Sequence, residues 1–210
     1  SQYYPYVGES PQLSSTYGQY DNGQDVFNDY WNFNGTSLPN GFTSANFCGN
    51  SNTGTVTVDN GLTFSAGSNG CEVLYYSAST FSTPIVFEVY AEGTSTSSGT
   101  WNSEAGMGID SGTSFSNTNF WLSRIDYGSN PYNVWNYWID SSGTNTNDQM
   151  ALNTSYVFGV ASSGSSSMIY AYSSGVYYYT TSTSTFPSSF YILVVDIDAD
   201  AKQIVYWARI

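Results

Sequence analysis

The feature that most constrains this chain is its punctuation. Short runs rich in β-branched and aromatic residues recur along almost its whole length, separated by clusters of Ser, Gly, Asn and Thr. No apolar i, i+3, i+4 pattern in good helix formers is sustained anywhere, so an α-helical layer is excluded from the expected fold. Thr55–Asp59 and Leu62–Ser65 flank Asn60-Gly61, the strongest short-range signal for a tight hairpin. Further strands are expected at Glu72–Ser77, Ile85–Glu92, Gly106–Asp110, Phe120–Tyr127, Tyr132–Asp140, Tyr156–Ala161, Met168–Tyr172, Val176–Thr181, Phe190–Ile197 and Ile204–Arg209. About a dozen strands at roughly 10–15-residue spacing make an all-β, two-sheet antiparallel sandwich or a barrel. The prolines at 5, 11, 39, 84, 131 and 187 all fall between these segments, where the missing N–H does no harm.

Two strands carry more detail. Phe190–Ile197 (FYILVVDI) is apolar on both faces and is expected to be central and covered on both sides. In Ile85–Glu92, Ile85, Phe87, Val89 and Ala91 alternate with Glu88, Tyr90 and Glu92, giving one core face and one polar outer face. Tyr177, Tyr178 and Tyr179 are consecutive, so their rings must occupy both faces, and some of them are exposed or covered by a partner.

At 210 residues the chain suits one large β domain with a sizeable core. Only 9% of residues are charged, against about 25% in ordinary soluble domains. Ser, Thr, Asn and 20 tyrosines do the solvating instead. The net charge is −13, with Arg124, Lys202 and Arg209 the only basic residues and no His. Such a surface repels nucleic acid and anionic membranes. It also leaves little for acid to disrupt, which is compatible with an acidic extracellular habitat as well as with an ordinary Ser/Thr-rich secreted protein. No run approaches the about 18 apolar residues of a membrane span, and the start at Ser1 fits a mature chain after signal-peptide removal. In that setting Cys48 and Cys71 are expected to form a disulfide, closing a loop of roughly two dozen residues worth about 3 kcal/mol. Two buried thiols are the alternative.

Residues 1–23 differ from the rest: Tyr-, Ser- and Gln-rich, with Pro5 and Pro11. Alone they could not bury enough surface to hold a structure. They divide the chain into an extended N-terminal segment, 1–23, and a sandwich domain, 24–210. Tyr3, Tyr4, Tyr6, Leu13, Ser15 and Tyr17 are the residues expected to dock if the segment adds as a strand, either to its own sheet or to a neighbour's open edge.

The stretch Tyr17–Thr43 (YGQYDNGQDVFNDYWNFNGTSLPNGFT), with PYVGESPQLSS before it, resembles archaeal extracellular proteins with a concanavalin A-like (LamG-like) jelly roll. GTVTVDNGLTFS and the terminal IVYWARI look like early and last strands of that fold. The resemblance implies two curved antiparallel sheets and a cell-surface location. In overall character the chain is also similar to subunits of archaeal thread filaments, small secreted, glycan-decorated β domains chained by an N-terminal donor strand. That implies a homopolymer of the chain itself, a pilus-like structural filament assembled by donor-strand complementation.

Catalytic machinery is not expected. Jelly rolls of this class include glucanases, whose paired Glu flank an Asp on one strand. The nearest pattern here is Glu88-Val-Tyr-Ala-Glu92, with Tyr90 in the place of the Asp. In a regular strand those carboxylates are about 13 Å apart, whereas retaining pairs need about 5 Å and inverting pairs at most about 9.5 Å. Without His, no Ser-His-Asp or Cys-His arrangement exists, and no motif supports a Ser–Lys pair or an isopeptide bond at Lys202. Asp196, Asp198 and Asp200 resemble the start of a calcium loop, but Ala201 and Trp207 stand where the Gly and Glu belong. No metal and no cofactor is expected, and a hairpin turn at 198–202 is the simpler reading. Asn34-Gly-Thr36 and Asn153-Thr-Ser155 are N-glycosylation sequons. Trp31, Trp101, Trp121, Trp135, Trp138 and Trp207 could stack on sugars, although most aromatics in such a sandwich pack its core. Two functions follow: a structural filament subunit, or a secreted carbohydrate-binding, adhesive lectin-like domain with glycans as partners.

Overall fold

The computed structural model describes residues 27–46, 55–65, 72–95, 104–112, 120–127, 133–196 and 202–210. Residues 1–26, and with them the expected docking side chains Tyr3, Tyr4, Tyr6, Leu13, Ser15 and Tyr17, lie outside the described residues, as do Cys48, Cys71, Trp101, Asp198 and Asp200.

Fifteen strands and no helix are found among the described residues. In chain order they are β1 (Tyr30–Asn32), β2 (Phe42–Asn46), β3 (Thr55–Val58), β4 (Leu62–Ser65), β5 (Glu72–Tyr76), β6 (Ile85–Ser95), β7 (Glu104–Asp110), β8 (Phe120–Tyr127), β9 (Asn133–Asp140), β10 (Ser142–Gln149), β11 (Ser155–Ser162), β12 (Ser167–Ser173), β13 (Val176–Ser182), β14 (Tyr191–Asp196) and β15 (Lys202–Arg209). They build two antiparallel sheets. Sheet A runs β13-β12-β11-β6-β15-β4-β3, with β1 also paired to β15. Sheet B runs β10-β9-β8-β7-β14-β5-β2.

The expected hairpin is present: Val58 pairs with Leu62 across a turn in which Asn60 adopts φ 51°. A left-handed residue there matches the right-handed twist of the flanking strands, which explains the Asn-Gly pair. Three strands were not legible in the sequence. β1 is only three residues long. β10 (SGTNTNDQ) has no apolar residue at all and exists because β9 offers it an edge. β2 alternates too few apolar residues to register, yet pairs with β5 over its full length.

The core lies between the sheets. From sheet A it takes Phe87, Val89, Ala91, Phe158 and Val205; from sheet B, Met107, Ile109, Trp121, Ile125, Ile192 and Val194. Trp121 and Trp135 are wholly inside, so these tryptophans are packing residues, as are the buried Trp31 and Trp207. A buried polar link crosses this core. The Ser123 hydroxyl on β8 donates to the Tyr170 carbonyl of β12 at 2.6 Å and accepts from the Trp135 indole N–H at 3.0 Å. β14 is buried on both faces as expected: Ile192 and Val194 face sheet A, while Leu193 packs with Phe120 and Leu122 on the other side.

Candidate functional site

The outer face of sheet A carries the most distinctive side chains. Strand register places Tyr179, Tyr170, Gly159, Glu88 and Arg209 in one row across β13, β12, β11, β6 and β15. The neighbouring row is Tyr177, Tyr172, Val157, Tyr90 and Trp207. Val157, Tyr206 and Trp207 form a small buried apolar cluster of their own, with Tyr30, Tyr90 and Tyr172 packed against it. The outer face is therefore paved with aromatics rather than merely polar.

At the centre of the pavement sits a buried carboxylate. Glu88 is 8% exposed. Its Oε1 accepts from the Tyr170 hydroxyl at 2.6 Å, and its Oε2 accepts from Arg209 Nε at 2.6 Å. A second guanidinium nitrogen of Arg209 pairs with the same oxygen. The guanidinium lies 4.2 Å from the Phe27 ring centroid and 4.4 Å from that of Trp207, so aromatic faces hold the cation in place. Tyr170 reaches Glu88 by laying its ring across Gly159, where any Cβ would overlap the ring. Burial, reinforced by Glu88, pushes the Tyr170 phenol well above its ordinary pKa. Burial likewise moves Tyr172 up to about 12 and raises Tyr177. These hydroxyls stay protonated and serve as neutral donors and acceptors.

Toward β13 the pavement opens to solvent. Tyr177 and Tyr179 stack with ring centroids 5.4 Å apart, and they are 48% and 60% exposed. Tyr177 also approaches Tyr170 at 6.1 Å and Tyr172 at 6.3 Å. Tyr178 points the other way: it stacks on Trp135 and donates to the Gln149 carbonyl at 2.6 Å. The consecutive tyrosines thus divide between the faces as the period of two requires. The result is a shelf of tyrosine rings with exposed outer members and a braced inner edge.

Glu88 and Glu92 do not form a glycosidase pair. β6 runs in unbroken register with β11 from Ile85 to Glu92. On its other side the irregularity between Val205 and Trp207 places the extra residue in β15. The two carboxylates therefore keep the roughly 13 Å spacing of a regular strand. Glu88 is engaged as described, and Glu92 accepts from Ser155 Oγ at 3.0 Å.

Sheet B holds an outward carboxylate that the sequence reading did not single out. Asp110, at the end of β7, is 2% exposed. Its Oδ1 accepts from the Gly112 amide at 2.9 Å, whereas Oδ2 is buried without a hydrogen-bond partner among the described residues. Burial raises its pKa to about 6, against the partial opposition of the Gly112 bond. Its outward place in the β7 alternation was readable; its burial was not. Among the described residues no group of three or more His, Cys, Asp or Glu is placed to hold a metal.

The remaining expected residues are dispersed. Asn34 is exposed, just before a bend at residues 35–37. Asn153 is exposed at φ 54°, just before β11, and the Ser155 hydroxyl of its sequon is the one bound to Glu92. Asp196 ends β14 and Lys202 begins β15. No helix among the described residues is long and apolar enough to cross a membrane.

No protein-family model matches the chain. Over 111 residues it is 35% identical to uncharacterized protein 562 of Sulfolobus islandicus rod-shaped virus 1. That match covers 52% of this chain but 18% of the viral protein, so the chain spans under a fifth of its relative's length. The sequence match is thus to a protein of an archaeal virus, not to a thread-filament subunit. Similar solved structures include lectin II from Ulex europaeus, with a TM-score of 0.53 and 8% identity over 87% of this chain and 98% of that one. The β-glucanase of Bacillus licheniformis gives a TM-score of 0.52 and 16% identity, covering 86% of this chain and 96% of that one. The exoplasmic/lumenal domain of VIP36 in its Ca2+-bound form gives 0.54 and 9%, covering 84% and 86%. The fold is the concanavalin A-like jelly roll, which lectins and glucanases share.

Proposed function

We propose that this chain is a secreted, lectin-like glycan-binding domain of a surface or extracellular protein, and that it takes neutral sugar chains on the tyrosine shelf of sheet A. The observation that carries this reading is the stacked, half-exposed pair Tyr177 and Tyr179, continued inward by Tyr172 and Tyr170. Flat aromatic faces complement the C–H faces of sugar rings, and protonated phenols supply hydrogen bonds to hydroxyls. Charge supports neutral ligands: no residue between Asp148 and Asp196 is charged, and this stretch contains β11, β12 and β13. Glu88 and Arg209 act as braces, since each satisfies the other beneath the rings.

The test is a glycan array followed by calorimetry on the best neutral oligosaccharide. Tyr179→Ala and Tyr177→Ala should each weaken binding roughly tenfold, about 1.4 kcal/mol per lost stacking face, with the circular dichroism spectrum of the fold retained. An array without hits, or variants that bind like the parent, would sink the reading.

A second reading, a structural subunit of an archaeal surface filament, is favoured by one observation: strand donation needs an acceptor edge, and among the described residues β13 ends sheet A with neither charge nor proline. In it, residues 1–23 dock into a neighbour, Cys48 and Cys71 form a disulfide, and Asn34 and Asn153 carry glycans. Electron microscopy of the full chain against residues 24–210 decides it. Threads that vanish on truncation support it, and monomers in both cases reject it.

A further inference from the structure

We infer that Met168 is a redox-sensitive modification site, and that its oxidation to the sulfoxide by a hydroperoxide displaces Tyr177 and loosens the tyrosine shelf. The chain has three methionines. Met107 and Met150 are shut into the core between the sheets. Met168, on β12, is only partly buried. It alternates with Tyr170 and Tyr172, so it stands with them on the outer face of sheet A. The side chains flanking it across the sheet are small, Ala161 on β11 and Thr181 on β13. Beyond Ala161 comes Val86, itself exposed. None of these three is bulky enough to shut a small oxidant away from the sulfur. The same sulfur touches the shelf, because Met168 Sδ accepts from the Tyr177 hydroxyl at 3.6 Å.

In the oxidation a lone pair of the sulfur attacks the hydroperoxide. An S–O bond forms and the O–O bond breaks; sulfur gives up two electrons, and the second oxygen leaves as water or an alcohol, carrying the proton. The thioether is apolar, flexible and a weak acceptor, whereas the sulfoxide is polar and chiral. Its oxygen accepts more strongly than sulfur and projects from it. The Tyr177 hydroxyl must therefore shift to keep a hydrogen bond of about 2.7 Å. Tyr177 does not move alone, since its ring stacks on Tyr179 at 5.4 Å. Tyr170 is held by Glu88 behind them, so the displacement falls on the exposed pair. The consequence for a ligand rests on the glycan-binding reading: oxidation weakens the hold on neutral sugars, and reduction of the sulfoxide restores it.

The test is mild treatment of the full chain with dilute hydrogen peroxide, followed by peptide mass mapping to locate the added oxygen. Met168 should take it up while Met107 and Met150 remain thioethers. Near-UV circular dichroism then reads the aromatic rings. It should change on oxidation of the parent but not of Met168→Leu, a swap that keeps the volume and removes the sulfur. Calorimetry on the best neutral oligosaccharide should show affinity falling roughly three- to tenfold on oxidation and recovering after treatment with a methionine sulfoxide reductase. Oxygen uptake at Met107 or Met150 as fast as at Met168 would overturn the inference. So would an oxidised Met168 with an unaltered aromatic spectrum, or one whose chain binds the oligosaccharide as the parent does. The mapping and the spectrum need no ligand, so a chain that binds no glycan loses the glycan reading while these two still decide the fate of Met168.

Discussion

Tyr170 donates to Glu88 across the full width of a third strand, and the residue between them is Gly159. The two partners are separated by 82 positions in the chain and by one strand in the sheet. A side chain on Gly159 would occupy the space the Tyr170 ring needs.

Gly159→Ala is therefore expected to destabilise the fold by about 1–3 kcal/mol, the usual cost of forcing extra volume into a packed site. The displaced ring would also leave Glu88 with one partner fewer. Urea denaturation measures the loss, and a variant as stable as the parent would show that the ring moves aside freely.

Breaking the Glu88–Arg209 pair from one side should cost more than removing both partners. Arg209→Met leaves a carboxylate of 8% exposure with Tyr170 alone, at about 3 kcal/mol. The double variant Glu88→Leu, Arg209→Met removes the uncompensated charge and should recover part of that loss. A double-mutant cycle in denaturant gives both figures, and strict additivity would contradict the pairing.

Ser123→Ala removes a buried hydroxyl that links the sheets through the core. It leaves the Tyr170 carbonyl and the Trp135 N–H without this partner, at about 1–3 kcal/mol. Thermal unfolding tests it, and a shift within error would mean that water replaces the hydroxyl.

Asp110 predicts a pH dependence of definite sign. Its folded pKa, about 6, stands above the ordinary value of 3.8. Between those values the folded state binds more protons than the unfolded state, so stability falls as pH rises through the window. The contribution is fully present below about pH 4 and lost above about pH 6. Asp110→Asn should be more stable than the parent at pH 7, and the difference should shrink toward pH 4. Melting curves at half-unit pH steps check this; a constant difference would assign the effect to something other than titration.

Much of the sandwich was legible because two local rules operate without tertiary help. Alternation marked the inner face of β6 and divided Tyr177, Tyr178 and Tyr179 between the faces. The run in β14 announced burial on both sides, and Asn60-Gly61 placed a hairpin. β10 was invisible because its pairing is supplied by β9 rather than by its own side chains.

The candidate site was less legible, because its parts lie on β6, β11, β12, β13 and β15. Sequence order favours pairing of consecutive strands such as β11, β12 and β13, but does not say that β6 and β15 join them. By itself the sequence determined the all-β class, the faces of the well-patterned strands, the scarcity of charge and the absence of any His for catalysis, since each is a property of local pattern or of composition. Only the tertiary structure decided that Glu88 is braced rather than solvated, that Asp110 is buried and protonates near pH 6, and that the tyrosines merge into one shelf. Those depend on strand order and register, which arise when the two sheets close on a common core.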